Sequence, residues 1–177
     1  YPDHQTGSFV QINSGPAALA NASIGQQGVM VTPLQITSLI ATIADNGWYK
    51  SPSLVKYTID SKGNRQDYKT GRGERVLDAE TAQTVQKLME KCISEGTGRS
   101  AELSEVMVAG KTATSQTGIV KDEHEVLNAW FGGYLPADKP RWAIVVLVEE
   151  GRSGAAEAAP IFKAIARKLL PLYSSAE

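Results

Sequence analysis

Ala109-Gly-Lys-Thr-Ala-Thr-Ser-Gln-Thr-Gly118 is the stretch on which the fold and the chemistry of this 177-residue chain turn. Within a strand running from Met107 to Thr117, it places a lysine and a threonine behind a glycine and ahead of a second hydroxyl. On an exposed strand Lys111 offers a fixed positive charge, Thr112 a hydroxyl, and the backbone a row of N–H donors. Such an edge can hold a carboxylate and polarise a carbonyl at the same time. Gly110 leaves room for another backbone to approach closely. Taken alone, Lys-Thr-Ala is weak evidence, because lysine-threonine pairs are common on surface strands; the surroundings carry the argument.

Downstream, Ala129 to Leu135 and Trp142 to Val148 read as two further strands. The joins are a charged loop, Lys121 to Glu125, and a turn, Pro136 to Pro140, and connections this short make neighbouring strands antiparallel. Ile144 to Val148 is continuously apolar, as expected of a strand covered on both faces. A final helix over about 160–170 would pack Ile161, Phe162, Ile165, Ala166, Leu169 and Leu170 on that sheet. Upstream, Thr32-Pro33 opens a helix with an N-cap threonine and a first-turn proline, followed by Ile36, Leu39, Ile40 and Ile43 until Asn46-Gly47 ends it. A second helix follows Asp78, with Ala82, Val85, Leu88, Met89, Cys92 and Ile93 on its apolar side and Gly96 as its stop. Between the two, residues 53–70 read as a peripheral hairpin, its first strand Ser53 to Ile59 and its turn Asp60 to Asn64. The expected class is α+β, an antiparallel sheet flanked by helices.

Composition narrows the function. Hydrophobic residues make up 42% and charged residues 21%, and the formal net charge is -1, an ordinary globular balance with no call for nucleic acid. The densest basic stretch, Lys69 to Arg75, is short and broken by glycine, and reads as a solvated loop. No apolar run approaches the roughly 20 residues of a membrane span. The chain begins at Tyr1 with no methionine before Met30, so a cut piece or processed product is expected, with any targeting or anchoring segment upstream. Cys92 is the single cysteine, which excludes an internal disulfide and a thiolate cluster, and it reads as a core thiol.

Other candidate chemistry is weaker. His4 and His124 lack ligand partners at helical spacing, so no metal site is expected, and nothing implies a cofactor. Glu149-Glu150 are neighbours on one strand and point to opposite faces, so they cannot flank one bond as paired carboxylates. The glycines of Gly96-Thr-Gly98 and Gly132-Gly133 match no phosphate loop and answer to backbone needs. Ser53-Leu-Val-Lys56 matches Ser-x-x-Lys, but that chemistry wants the serine at a helix N-terminus with the lysine one turn along. Here the flanks read as strand.

Seven segments together resemble the class B penicillin-binding proteins: Leu19 to Gly28, Val31-Thr-Pro-Leu-Gln35, Ala44-Asp-Asn-Gly47, Glu95-Gly-Thr-Gly98, Val108 to Thr112, Ala129-Trp-Phe-Gly-Gly-Tyr134 and Ala158-Ala-Pro-Ile-Phe162. Their order and spacing fit the C-terminal portion of a single transpeptidase domain, 1–177, of the penicillin-binding protein and serine β-lactamase-like fold. The resemblance implies a membrane-anchored, extracytoplasmic enzyme that cross-links peptidoglycan. Its serine attacks the D-Ala-D-Ala end of a stem peptide and passes the acyl group to an amine, and β-lactams trap the acyl-enzyme. Of the three motifs that build such a site, Ser-x-x-Lys, Ser-x-Asn and Lys-Thr/Ser-Gly, only the third has a counterpart here. The resemblance makes Lys111 a catalytic electrostatic group, Thr112 the carboxylate binder and Thr114 an oxyanion-hole donor through its backbone N–H, with Gly110 and Ala113 lining the substrate. The nucleophile is then expected upstream of Tyr1, and the isolated chain is expected to be inactive.

Ala113 stands where the family normally has glycine; the methyl is either tolerated through a small backbone shift or weakens acylation, and a working, β-lactam-tolerant site is expected. Expected partners are stem peptides, β-lactams, the missing N-terminal part of the domain and cell-wall synthesis proteins, with self-association of the fragment through exposed apolar surface. Two alternatives stay open: a non-catalytic relative that binds cell-wall peptide or division partners, and a related carboxypeptidase or β-lactamase-like hydrolase.

Overall fold

The structure, a computed structural model, describes residues 7–8, 15–26, 28–68, 71 and 73–174. Tyr1, His4, Gln27 and the Lys69, Thr70 and Arg72 of the basic stretch lie outside the described residues. The chain opens with α1 (Pro16–Ser23) and α2 (Pro33–Ala44). Short strands β1 (Trp48–Tyr49), β2 (Tyr57–Ile59), β3 (Arg65–Asp67) and β4 (Glu74–Arg75) then lead to α3 (Ala79–Ser94) and a 3-10 turn, Arg99–Ala101. The main sheet follows as β5 (Ala109–Lys121), β6 (His124–Leu135) and β7 (Trp142–Val148). A π-helical turn, Gly154–Ala158, runs into α4 (Ala159–Ser174).

Local chemistry explains the helix starts. Thr32 caps α2 through a reciprocal box: its hydroxyl accepts from the Gln35 N–H at 3.2 Å, and its own N–H donates to Gln35 Oε1 at 2.8 Å. Asp78 caps α3, accepting the Thr81 N–H at 2.8 Å. Ile36, Ile40 and Ile43 face the sheet, whereas Leu39 is exposed, and on α3 Leu88 is exposed while Ala82, Met89 and Ile93 are buried. At about 100° per residue, Leu88 lies about 120° around the helix from Ala82, outside the buried arc. The expected stripes were therefore too wide by one leucine each.

The sheet has the order β5-β6-β7, with both pairings antiparallel. β5 and β6 are longer than the sequence suggested. The expected charged loop is a two-residue turn at Asp122 and Glu123, both at positive φ (50 and 63), as a tight type I′ hairpin requires. One sheet face carries α2, with Ile40, Ile43, Met89, Ala109 and Tyr134 buried together. The other carries α4 and the 3-10 turn, where Phe131 and Phe162 meet at 4.6 Å between ring centroids among Ile93, Leu103, Leu135 and Val146. Alternation along β7 serves both: Ile144, Val146 and Val148 join the α4 side, Ala143 and Val145 the α2 side. Ser53 to Val55 is a hydroxyl-closed turn, and only Tyr57–Ile59 pairs with Arg65–Asp67, all of it exposed. The hairpin is shorter than expected because the Ser53 hydroxyl accepts from the Val55 N–H and turns the chain where a strand was expected.

Candidate active site

Among the described strands β5 pairs only with β6, which leaves its other edge without a strand partner there. In an antiparallel strand the N–H and C=O of one residue point the same way, and those of alternate residues point toward the partner strand. Thr112, Thr114 and Gln116 are the residues facing that other edge. Lys111 Nζ donates to the Thr112 carbonyl at 2.7 Å, Gln26 Nε2 donates to the Thr114 carbonyl at 3.0 Å, and the Gln116 N–H reaches Gln26 Oε1 at 3.5 Å. The Thr114 N–H therefore points outward as well. Gln26, just past the end of α1, makes with its side-chain amide the pair of contacts that an added strand would make.

Side chains alternate across the strand, so Lys111 and Thr112 leave on opposite faces. They converge nonetheless: the long lysine arm folds over the edge and brings Nζ to 3.5 Å from Thr112 Oγ1. Thr112 is nearly buried at 9% exposure, and its hydroxyl lies 2.7 Å from Thr97 Oγ1, which in turn lies 3.7 Å from Cys92 Sγ. A cation, a tethered hydroxyl and an outward N–H thus sit along two residues' length of one edge.

They open on a cleft of ≈610 Å³ lined by Ile24, Thr97, Lys111 to Thr114, and Ser153 to Ala155. Lys111 is the one charged side chain among its described lining residues, so the cleft favours an anion. The far wall is fixed by Glu157, whose Oε1 accepts from the N–H groups of Arg152 (2.8 Å) and Ser153 (3.1 Å). Gly154 presses against the sheet backbone: a Cβ there would lie 2.4 Å from Trp130 O and 2.6 Å from Ala113 O. Only glycine allows that approach.

Residues 2–167 match the family model described as the penicillin binding protein transpeptidase domain. The chain belongs to the penicillin-binding protein transpeptidase family, in its class B branch. It is 31% identical to penicillin-binding protein PbpB of Mycolicibacterium smegmatis over 89% of this chain and 26% of the relative. It is 32% identical to stage V sporulation protein D of Bacillus subtilis, over 89% of this chain and 25% of that protein. The chain thus spans about a quarter of the length of these curated relatives. Among solved structures, penicillin-binding protein 3 of Mycobacterium tuberculosis in its apo form superposes with a TM-score of 0.83 at 30% identity, covering 98% of this chain and 42% of that one. Penicillin-binding protein A of M. tuberculosis, solved as a ceftriaxone acyl-enzyme complex, gives 0.80 at 30% identity, covering 90% and 37%. The α+β architecture is that of the penicillin-binding protein transpeptidase domains.

Within this penicillin-binding protein fold, Lys111, Thr112, Ala113 and Thr114 all line one cleft. Gly110 does not. It is buried, and a Cβ there would lie 2.6 Å from Phe131 Cζ, so the room it leaves is taken by the Phe131 ring of the core. That corrects its expected place against the substrate. Ser53 and Lys56 sit on no helix, in the exposed segment that leads into the hairpin, and neither lines the cleft. His124 lies exposed at the start of β6, and Glu150 pairs with Lys121 across the tip of the sheet. No group of three metal-ligating side chains gathers among the described residues, and none of the described helices is long and apolar enough to cross a membrane. Thr97, Gln26 and the wall at Ser153 to Ala155 carried no assigned role in the sequence reading. Thr97 and Gln26 lie in segments that carry the resemblance, whereas Ser153 to Ala155 lie in none, and contacts spanning 15 and 88 residues leave no local periodicity to read.

Proposed function

We propose that this chain supplies the substrate-binding edge of a peptidoglycan D,D-transpeptidase acting by serine acyl transfer, with the nucleophilic serine on a segment outside these 177 residues. The observation that carries the reading is the convergence of Lys111 Nζ and Thr112 Oγ1, 3.5 Å apart, beside the outward Thr114 N–H. A stem peptide lies along this edge with its terminal carboxylate on Thr112 and within the field of Lys111. The serine oxygen attacks the penultimate D-alanine carbonyl, and the resulting oxyanion takes the Thr114 N–H and the serine's own N–H. The proton of the serine hydroxyl passes to the departing nitrogen, so that collapse breaks the peptide bond and releases D-alanine with a free amine. An acceptor amine then attacks the ester and returns the serine hydroxyl, forming the cross-link. A β-lactam follows the first half of this path, which is supported by relatives solved as acyl-enzymes with ceftriaxone and imipenem. The site works on the extracytoplasmic side of the membrane, anchored through a segment outside the chain, alongside other cell-wall synthesis proteins.

The test is the intact mass of the full-length protein after exposure to benzylpenicillin, with the 177-residue chain as control. An adduct of one penicillin on the longer protein alone is the expected result. An adduct on the short chain would place a nucleophile within it, and none on a folded full-length protein would leave a non-catalytic peptide binder.

A further inference from the structure

Thr97 sits in a loop whose shape has one evident purpose. Gly96 and Gly98 flank it, and a Cβ on either would lie 2.9 Å or 3.0 Å from the Cys92 backbone, with Ile93 Cδ1 at 2.8 Å from the second. The Gly98 N–H bonds the Cys92 carbonyl at 2.9 Å. The two glycines let the chain fold tightly over the last turn of α3, and the residue between them is delivered to β5 with its hydroxyl 2.7 Å from Thr112 Oγ1.

A threonine hydroxyl has one proton to give and two lone pairs. If Thr112 donated to Thr97, no proton would remain for a ligand. Lys111 Nζ, 3.5 Å away, can only donate, and it favours a Thr112 oxygen that accepts. Cys92 Sγ lies 3.7 Å from Thr97 Oγ1, and its thiol is able to donate to that oxygen. Aligned in one direction the chain runs from the Cys92 thiol to Thr97, from Thr97 to Thr112, and from Thr112 into the cleft, each bond polarising the next.

We infer that Thr97 is a positioning residue that turns the Thr112 proton toward the carboxylate of the bound donor, and so sets the preference of this site for substrates with a free terminal carboxylate. The inference rests on the transpeptidase reading above. It is tested in the full-length protein by the second-order rate of adduct formation with benzylpenicillin and with its methyl ester, which lacks the anion. Thr97→Val is expected to slow the acid about tenfold, the usual effect of losing one such hydrogen bond, and to slow the ester several-fold less, because a neutral carbonyl accepts more weakly than a carboxylate. Thr97→Ser restores the acid rate. In a Thr112→Val background, Thr97→Val adds no further loss, because it acts through Thr112. Equal slowing of acid and ester, no slowing of the acid, or an additional loss in the Thr112→Val background would each overturn the inference. Failure of the transpeptidase reading looks different: the unmodified protein then forms no adduct with either probe.

Discussion

Ala113 stands directly opposite Trp130, and its methyl shares a sheet face with Lys111 and Ser115, where the Trp130 indole donates to Ser115 Oγ at 3.0 Å. Gly154 meets the Ala113 backbone from the other side, so the methyl leaves that wall intact and intrudes only on the lysine side of the cleft. Ala113→Gly is therefore expected to raise the rate of β-lactam acylation in the full-length protein, and an unchanged rate would show that the methyl is without consequence. Tyr134 raises a different question. It is fully buried, and its hydroxyl has no hydrogen-bond partner among the described residues. Such a group costs about 1–3 kcal/mol, so Tyr134→Phe should stabilise the fold by part of that amount in urea unfolding; a loss of stability would reveal an unseen partner. Burial, with the Glu90 carboxylate nearby, pushes the Tyr134 phenol up to about 12 from 10.0. The folded state holds this proton longer than the unfolded one, so the native protein loses stability as pH rises from about 10 to about 12. The phenylalanine variant should lack that component of the alkaline loss.

At the scale of elements, the helices owe their placement to caps and stripes that are local in sequence, while the proposed site lies along an edge of β5 that no described strand pairs with. α3 depends on Asp78, which accepts the Thr81 N–H and the Thr81 hydroxyl, the latter at 2.7 Å. Those two bonds hold its carboxyl below the usual range, so the cap is present above the ordinary carboxylate pKa and fades as pH falls through the lowered value. Asp78→Ala should lower the urea midpoint at neutral pH, with the gap to the parent protein closing on acidification; a gap independent of pH would count against the charged cap. The Gly96–Gly98 loop is tied to the opposite end of this helix, through the Gly98 N–H on the Cys92 carbonyl.

For the molecule as a whole, α2 and α4 cover the two faces of the sheet, but much apolar surface remains outside the two cores. Ile24, Met30, Leu39, Leu88 and Ile161 are all exposed. We expect the isolated 177-residue chain to self-associate at micromolar concentration through this exposed apolar surface. Light scattering behind size-exclusion chromatography checks this, and a monodisperse monomer would refute it.

Sequence alone determined α2, α3, α4 and the three late strands, because caps, turns and apolar periodicity are properties of a few neighbouring residues; it assigned no helix to Pro16–Ser23, where α1 forms. It also marked the lysine-threonine edge and, through the combined motifs, the family. It misjudged Gly110, since the Phe131 ring that fills its space comes from the next strand. It widened the helix stripes to Leu39 and Leu88, since burial depends on what lies opposite. Tertiary structure decided the site: the folding of Lys111 over the edge, the glycine contact at Ala113, the Gln26 amide on Thr114 and the Thr97 hydroxyl on Thr112. Each is a contact between residues brought together only when sheet, loop and helix pack, and no local pattern in the chain encodes such a meeting.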